Sequence, residues 1–394
     1  MGKKENKNID ITKTADDTAS MVDDLISQYR DTKIPLSKGK TKYELIDTGN
    51  YALNYILSGD FDRGMPVKGH ICEIYGDSGS GKSLLCYYLA ANFLKEYSDG
   101  VVILDDAEGA YVDYLGSEIE LDDRRLIRVS SSTVECHANR IFLGGPVLVQ
   151  TNDEDSNVVL SKKRDASGKS TTVRNYKEVI VEQPLVQELY GKGIKNIMVI
   201  LDSVAVLSTR HEFLVGLEKI DMSKAKMLRA FMRNLMDSVR KFKATYIVTN
   251  HLVFNIKQGV ASFFGPDKVP TGGTSLGFQS CVRLCTVPGG KIKDDGTKVV
   301  LGLKALVTTD KNRIAPPFRR TTLNIMFDSG ISRYSGIIDL LKNLDVISSG
   351  AGGWYTVKGT NLKFQEKQLP DRWEEIKSQL MKSVLVRDKD KVKE

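Results

Sequence analysis

Residues Gly76, Asp77, Ser78, Gly79, Ser80, Gly81, Lys82 and Ser83 spell GDSGSGKS, a complete match to G-x-x-x-x-G-K-[ST]. Chemistry on a phosphate chain explains each part. Glycines let backbone N–H groups close around phosphate oxygens, and a following helix N-terminus adds partial positive charge. Lys82 would reach the β- and γ-phosphates of ATP, Ser83 would ligate Mg²⁺, and the binding stretch continues through Leu84. The apolar run HICEIY before the motif and SLLCYYLAANFLKEY after it supply the strand and the helix it requires.

Phosphate binding alone does not hydrolyse anything. A carboxylate near the metal is expected at the end of a neighbouring strand, and NIMVILDS offers Asp202. The alternative for Asp202 is an ordinary strand-end residue capping the next helix. A third group must orient or deprotonate water. In GVVILDDAEGAY the candidate is Glu108, although Asp105, Asp106 and Glu108 could equally be exposed turn residues.

Elements must position these groups. Apolar, β-branched runs (HICEIYG, GVVILDD, RLIRVS, NIMVILDS, ATYIVTN, SCVRLCTV, VVLGLKALVTT) alternate with helical segments. That order indicates an α/β fold with a mainly parallel twisted sheet flanked by helices. The last three runs, joined by short Gly-rich turns, are expected as an antiparallel extension. Residues 43–327 form this core. Residues 1–42 are polar, with a short amphipathic helix as a candidate polymerisation segment. Residues 150–175 are a polar surface insertion or mobile loop, with partner binding as a further role. Residues 328–394 read as helix, aromatic hairpin and helix, a small α+β C-terminal domain with a basic tail.

Composition sets outer limits. Hydrophobic residues make up 41% of 394, enough for a large core and too many for global disorder. Five cysteines without a CxxC pair argue against a zinc site and for a reducing compartment. Cys281 and Cys285 are expected in the core. The net charge of +7 permits an anionic partner. No run reaches membrane-spanning length and the start is too polar for a secretory signal, so a cytoplasmic location is expected.

Several blocks in order (TGNYALNYILSGDFDRGMPVKGHICEIYGDSGSGKS, ILDDAEGAY, VILDSVAVL, IVTNH, PTGGTSLGFQSCVRL, TTDKNRIAPPF, GAGGWYTVKG) together resemble the RecA family of recombinases, including the phage UvsX-type members. The resemblance implies a RecA-type P-loop ATPase core in a bacterial cell or a phage-infected host. It makes Glu108 the glutamate that activates water and Asp202 the Mg²⁺-associated aspartate. His251, where bacterial members have Gln, matches the residue that senses the γ-phosphate. Lys311 and Arg313 match a basic pair that reaches the ATP site of the neighbouring subunit. Tyr111 and Tyr114 are both candidates for stacking on adenine. The segment from Gly144 to about Lys192 is longer than the bacterial pattern, and RDKDKVKE lacks the acidic tail of bacterial members.

The resemblance also places DNA. In MSKAKMLRAFMRNLMDSVRKFK, Lys226, Arg229 and Arg233 share one helix face, opposite Met227, Phe231, Leu235 and Val239. Lys226 and Arg233 match positions that meet DNA phosphates, with residues 208–222 as the first DNA-binding loop. The second is 252–273, within NHLVFNIKQGVASFFGPDKVPTGGTSLGF. Lys257, Phe263, Phe264, Lys268, Gly272 and Gly273 are suited to gripping a single strand through phosphate contacts and base stacking. For Phe263 and Phe264 a hydrophobic anchor is the open alternative. The expected activity is DNA-dependent ATP hydrolysis by a helical filament on single-stranded DNA, with homologous pairing to duplex DNA and strand exchange. Loading or single-strand-binding proteins are further candidate partners. The alternatives are a ring-forming motor of the same core fold, or an ATP-switched single-stranded-DNA coat.

Overall fold

The structure is a computed structural model describing residues 20, 43–113, 118–150, 158–164, 170–215, 223–254 and 267–391. Tyr114, Lys257, Phe263, Phe264 and, apart from Ser20, the segment 1–42 lie outside the described residues. By its internal contacts the chain divides into Met1–Tyr43 and Glu44–Glu394; the following concerns the second unit.

Leu45–Ile46 (β1) and Met65–Pro66 (β2) form a short antiparallel pair around helix α1 (Tyr51–Ser58). Asn50 caps that helix, its side-chain oxygen accepting from the Leu53 N–H at 2.8 Å. Next come β3 (Ile71–Gly76), α2 (Lys82–Glu96), β4 (Val101–Asp106), β5 (Leu126–Val129), α3 (Val134–Ala138), β6 (Gly145–Gln150), β7 (Val158–Arg164) and β8 (Ser170–Val181). They are followed by α4 (Leu185–Gly191), β9 (Ile197–Asp202), α5 (Arg210–Val215), α6 (Ser223–Lys241), β10 (Thr245–Phe254), β11 (Lys268–Pro270) and α7 (Ser275–Gln279). The chain then forms β12 (Val282–Lys293), β13 (Val300–Asn312), β14 (Arg320–Met326), β15 (Gly330–Ile331), α8 (Ile337–Asn343), β16 (Ile347–Ser349), β17 (Trp354–Val357), β18 (Lys363–Gln365) and α9 (Leu369–Lys391).

A ten-stranded sheet has the order β15-β14-β13-β12-β3-β10-β9-β4-β5, with β11 added to β10. From β12 to β5 every neighbour is parallel. Every residue of β3 and β9 is buried, which continuous apolar runs such as IMVILD require when helices cover both faces. On one face α6 packs Phe231, Leu235 and Val239 against Val199, Leu201 and Tyr246. The antiparallel extension starts later than expected: β10 and β12 both pair with β3 in parallel, and antiparallel pairing begins at β12–β13. The physical reason is the connection. Between β10 and β12 the chain makes β11 and α7, long enough to return it to the same end of the sheet, as a parallel neighbour demands.

Residues 150–175 also differ from the loop expected of them. Within this stretch Val158–Arg164 and the first half of β8 are strands of a separate antiparallel sheet, order β6-β8-β7. Val147, Leu148 and Tyr176 of this sheet bury themselves with Cys136 of α3. Thr, Val and Tyr in STTVRNYKEVIV favour a pleated surface despite the polar composition. Toward the C-terminus, β16, β17 and β18 form a three-stranded antiparallel sheet. Trp373 of α9 stacks on Tyr51 of α1 at 4.5 Å and meets Phe61 edge-on at 5.4 Å. None of the five cysteines forms a disulfide; four are buried and Cys285 is half-buried.

Candidate active site and nucleic-acid interface

The P-loop lies between β3 and α2, as the sequence requires. Gly81 has φ +86°, a left-handed conformation, and a Cβ there would come within 2.7 Å of Ile325 Cδ1. Glycine at this position therefore answers both backbone and packing. Ser80 Oγ lies 2.7 Å from Thr286 Oγ1 of β12, pinning the loop to its neighbour strand. Lys82 is 5% exposed and its ammonium donates to the carbonyls of Asp77 (2.9 Å) and Gly76 (3.3 Å). An ammonium has three N–H groups, so one is left for a phosphate oxygen. Burial pulls the Lys82 pKa down, opposed by the charges of Glu108 and Asp202.

Asp202 ends β9 and is 1% exposed. It accepts hydrogen bonds from Tyr87 Oη of α2 (3.1 Å) and Thr249 Oγ1 of β10 (2.5 Å). These fix the carboxylate beside the first turns of the P-loop helix. Among the described residues no group of three or more His, Cys, Asp and Glu side chains could hold a metal by itself. Mg²⁺ at a triphosphate does not need one, since few carboxylates plus phosphate oxygens suffice. Ser83 of α2 and Asp202 at the end of β9 offer the hydroxyl and carboxylate oxygens that such a site takes.

Asp105 and Asp106 belong to β4 and are buried, so the reading of this stretch as exposed turn residues fails for them. Asp106 instead shapes the turn, accepting from the N–H groups of Ala110 and Tyr111, both at 3.0 Å. The turn also binds its N–H groups back to β9: Ala107 and Glu108 both donate to the Asp202 carbonyl. Glu108 Oε1 is thereby brought to Ser203 Oγ, which donates to it, and to His251 Nε2 at 2.7 Å. Burial pushes the Glu108 pKa up. The hydrogen bonds from Ser203 and His251, with the charges of His251 and Lys82, outweigh that and hold it below the usual range. Glu108 is thus an ionised carboxylate, the form a general base needs.

Tyr111 has no open ring face for adenine. It is 5% exposed, packs edge-on against Tyr87 at 5.3 Å, carries the Arg128 guanidinium at 4.5 Å and donates to Asp123 Oδ1 at 3.1 Å.

The stretch following His251 is built as a ladder. β10 continues to Phe254 and pairs antiparallel with β11, Phe254 opposite Lys268. Asn250 ties the two ends: its side-chain oxygen accepts from Thr271 Oγ1 (2.5 Å) and its amide donates to the Thr271 carbonyl (3.0 Å) and to Glu73 (3.1 Å). Glu73, buried, also receives the Arg283 guanidinium at 2.5 Å. Gly272 approaches α6 so closely that a Cβ would lie 2.5 Å from Leu228 Cδ1. Gly273 is exposed beside it. Lys268 points to the P-loop, with Nζ 2.6 Å from Asp77 Oδ1.

Lys226, Arg229 and Arg233 are all exposed on α6. The buried side is broader than the expected stripe, with Leu228, Met232 and Met236 beside Phe231, Leu235 and Val239, while Met227 is only partly buried. Lys311 Nζ donates to the carbonyls of Gly277 and Phe278, both at 2.8 Å, and Arg313 donates to Phe278 at 2.9 Å. Within one chain the pair therefore caps the end of α7, favourable for cations at a helix C-terminus.

The RecA N-terminal domain family matches residues 181–332. Protein RecA of Bacteroides thetaiotaomicron is 29% identical over 322 residues, 81% of this chain and 79% of that protein. Protein RecA of Crocosphaera subtropica is 28% identical over 330 residues, covering 82% and 76%. Protein RecA of Ureaplasma parvum serovar 3 is 25% identical over 343 residues, covering 87% and 83%. The chain is thus similar to RecA proteins over most of its length. The part matched by the RecA family's N-terminal domain contains Asp202, α6, β10, Lys311 and Arg313 but not the P-loop, which is identified by its own motif and geometry. Beyond the expected RecA-type residues, Ser203, Tyr87, Thr249, Asp106 and Glu73 also shape the site. Ser203 and Asp106 directly adjoin residues singled out from sequence; the other three face the site only once strands are paired.

Proposed function

We propose that this chain is a DNA-dependent ATPase that forms helical filaments on single-stranded DNA and catalyses homologous pairing and strand exchange in recombination and repair. The observation that carries this reading is the contact between Glu108 and His251, because His251 lies on the strand that leads directly into residues 252–273. The candidate base is thus hydrogen-bonded to the residue that immediately precedes the candidate DNA loop.

In the proposed reaction Lys82 and the P-loop N–H groups hold the triphosphate of ATP, and Glu108 takes the proton of the attacking water. Mg²⁺, held by Ser83 and Asp202, would neutralise developing charge on the phosphates. His251 would exchange its bond to Glu108 for one to the γ-phosphate and so report occupancy to the loop. Lys226, Arg229 and Arg233 would meet DNA phosphates, with Gly272 and Gly273 admitting the backbone closely. Lys257, Phe263 and Phe264 complete the proposed loop. Lys311 and Arg313 would act on a neighbouring protomer's ATP, making hydrolysis depend on assembly, in a cytoplasmic setting.

Electron microscopy with single-stranded DNA and a slowly hydrolysed ATP analogue tests the assembly. Open helical filaments are expected, since head-to-tail contacts that do not close generate them. Closed rings would favour a motor of the same core fold instead.

A further inference from the structure

Lys268 begins β11, opposite Phe254 on β10, and its ammonium lies 2.6 Å from Asp77 Oδ1 in the P-loop. The Phe254 ring centroid lies 5.5 Å from the same Nζ. Both members of the ion pair are about one third exposed, so it adds little to folding. Its position matters more. A P-loop concentrates N–H groups and a helix N-terminus to attract anions, and Asp77 places a carboxylate in that loop. Left alone, this carboxylate would repel a triphosphate. The sequence supplies its counter-charge from 191 residues away.

The lysine is not there by chance of a long side chain. Antiparallel pairing of Leu252, Val253 and Phe254 with Pro270, Val269 and Lys268 fixes its register. The Thr271 N–H donates to the His251 carbonyl at 3.0 Å, closing the ladder at the end away from Lys268. Anything that shifts this ladder shifts the charge on the P-loop.

We propose that Lys268 is a positioning residue of the nucleotide site: it neutralises Asp77 so that the P-loop accepts a triphosphate, and it thereby joins P-loop affinity to the ladder at the base of residues 252–273. This differs from a phosphate contact on DNA, and it rests on the nucleotide site proposed above. Because nucleotide affinity can be read without DNA, the inference can fail while the DNA reading stands.

The test is titration of the full chain with a fluorescent ATP analogue and the matching ADP analogue, with Mg²⁺ and without DNA. Lys268→Ala is expected to weaken triphosphate binding roughly tenfold and diphosphate binding less, because the added phosphate meets the uncompensated carboxylate. Lys268→Arg keeps the charge and should bind as the parent does. Asp77→Asn combined with Lys268→Ala should recover most of the lost affinity, a rescue that a merely structural role would not give. Parent-like triphosphate affinity in Lys268→Ala would overturn the proposal, as would a double variant no better than the single one. If the parent itself bound neither analogue, the nucleotide site would be at fault rather than the role of Lys268.

Discussion

His251 Nε2 lies 2.7 Å from Glu108 Oε1, joining β10 to the turn after β4. Ser203 Oγ donates to the same carboxylate oxygen. The base candidate is therefore oriented by two groups from two neighbouring strands. Replacing Glu108 by Gln keeps the size and removes the basicity. Hydrolysis should fall by about 10²–10⁴-fold while triphosphate affinity changes little, which single-turnover hydrolysis and a binding titration would separate.

The same hydrogen bonds predict a pH effect. Glu108 is held below its usual range, so its basic form persists through neutral pH and is lost only on the acid side. Ser203→Ala removes one of the hydrogen bonds that lowers it. The acid limb of the hydrolysis rate should then move to higher pH, whereas an unchanged limb would show that Ser203 does not act on Glu108.

Asp202 is fixed by Tyr87 and Thr249 beside the P-loop helix. Asp202→Asn should raise the Mg²⁺ concentration needed for half-maximal nucleotide binding, with metal-free binding much less affected. Titrating Mg²⁺ at constant nucleotide checks this.

On α6, Lys226, Arg229 and Arg233 are exposed while the opposite face is core. Each Ala substitution should weaken single-stranded DNA binding and flatten the plot of log affinity against log salt by about 0.7 for each phosphate that is no longer neutralised. Nucleotide affinity without DNA should not change.

Deeper in the sheet, His137 bridges Asp105 (2.7 Å) and Tyr246 (2.8 Å), and all three are fully buried. Burial pushes Asp105 up, but His137 and Ser131 together hold it below its ordinary value. A carboxyl depressed in this way stabilises the fold above its unfolded value of about 3.9, and that contribution is lost as pH falls through the lower folded value. His137→Ala leaves the buried carboxylate without its main partner and should cost about 3–5 kcal/mol at neutral pH. The variant should also lose less additional stability on acidification, a comparison that denaturant melts at several pH values provide.

The phosphate loop, Asp202 and the parallel sheet are legible in the sequence because each rests on local pattern: glycine spacing, a strand-end acid, continuous apolar runs. What depends on pairing at long range is not. Asp77 and Lys268 carry no sequence signal for one another, and Tyr87 and Thr249 resemble core residues until β9 and β10 lie side by side. Residues 150–175 read as loop because polar β-strands lack the apolar alternation that betrays a half-buried one. Tyr111 looks available for a ligand because sequence does not reveal that Arg128 and Tyr87 already cover its ring.

The most direct test of the account is ATP hydrolysis by the full chain, with Mg²⁺, measured with and without single-stranded DNA across a range of salt. Hydrolysis should rise on adding DNA, weaken with salt as DNA binding does, and fall by about 10²–10⁴-fold in Glu108→Gln. Hydrolysis indifferent to DNA at every salt concentration, in a chain that binds ATP, would contradict it.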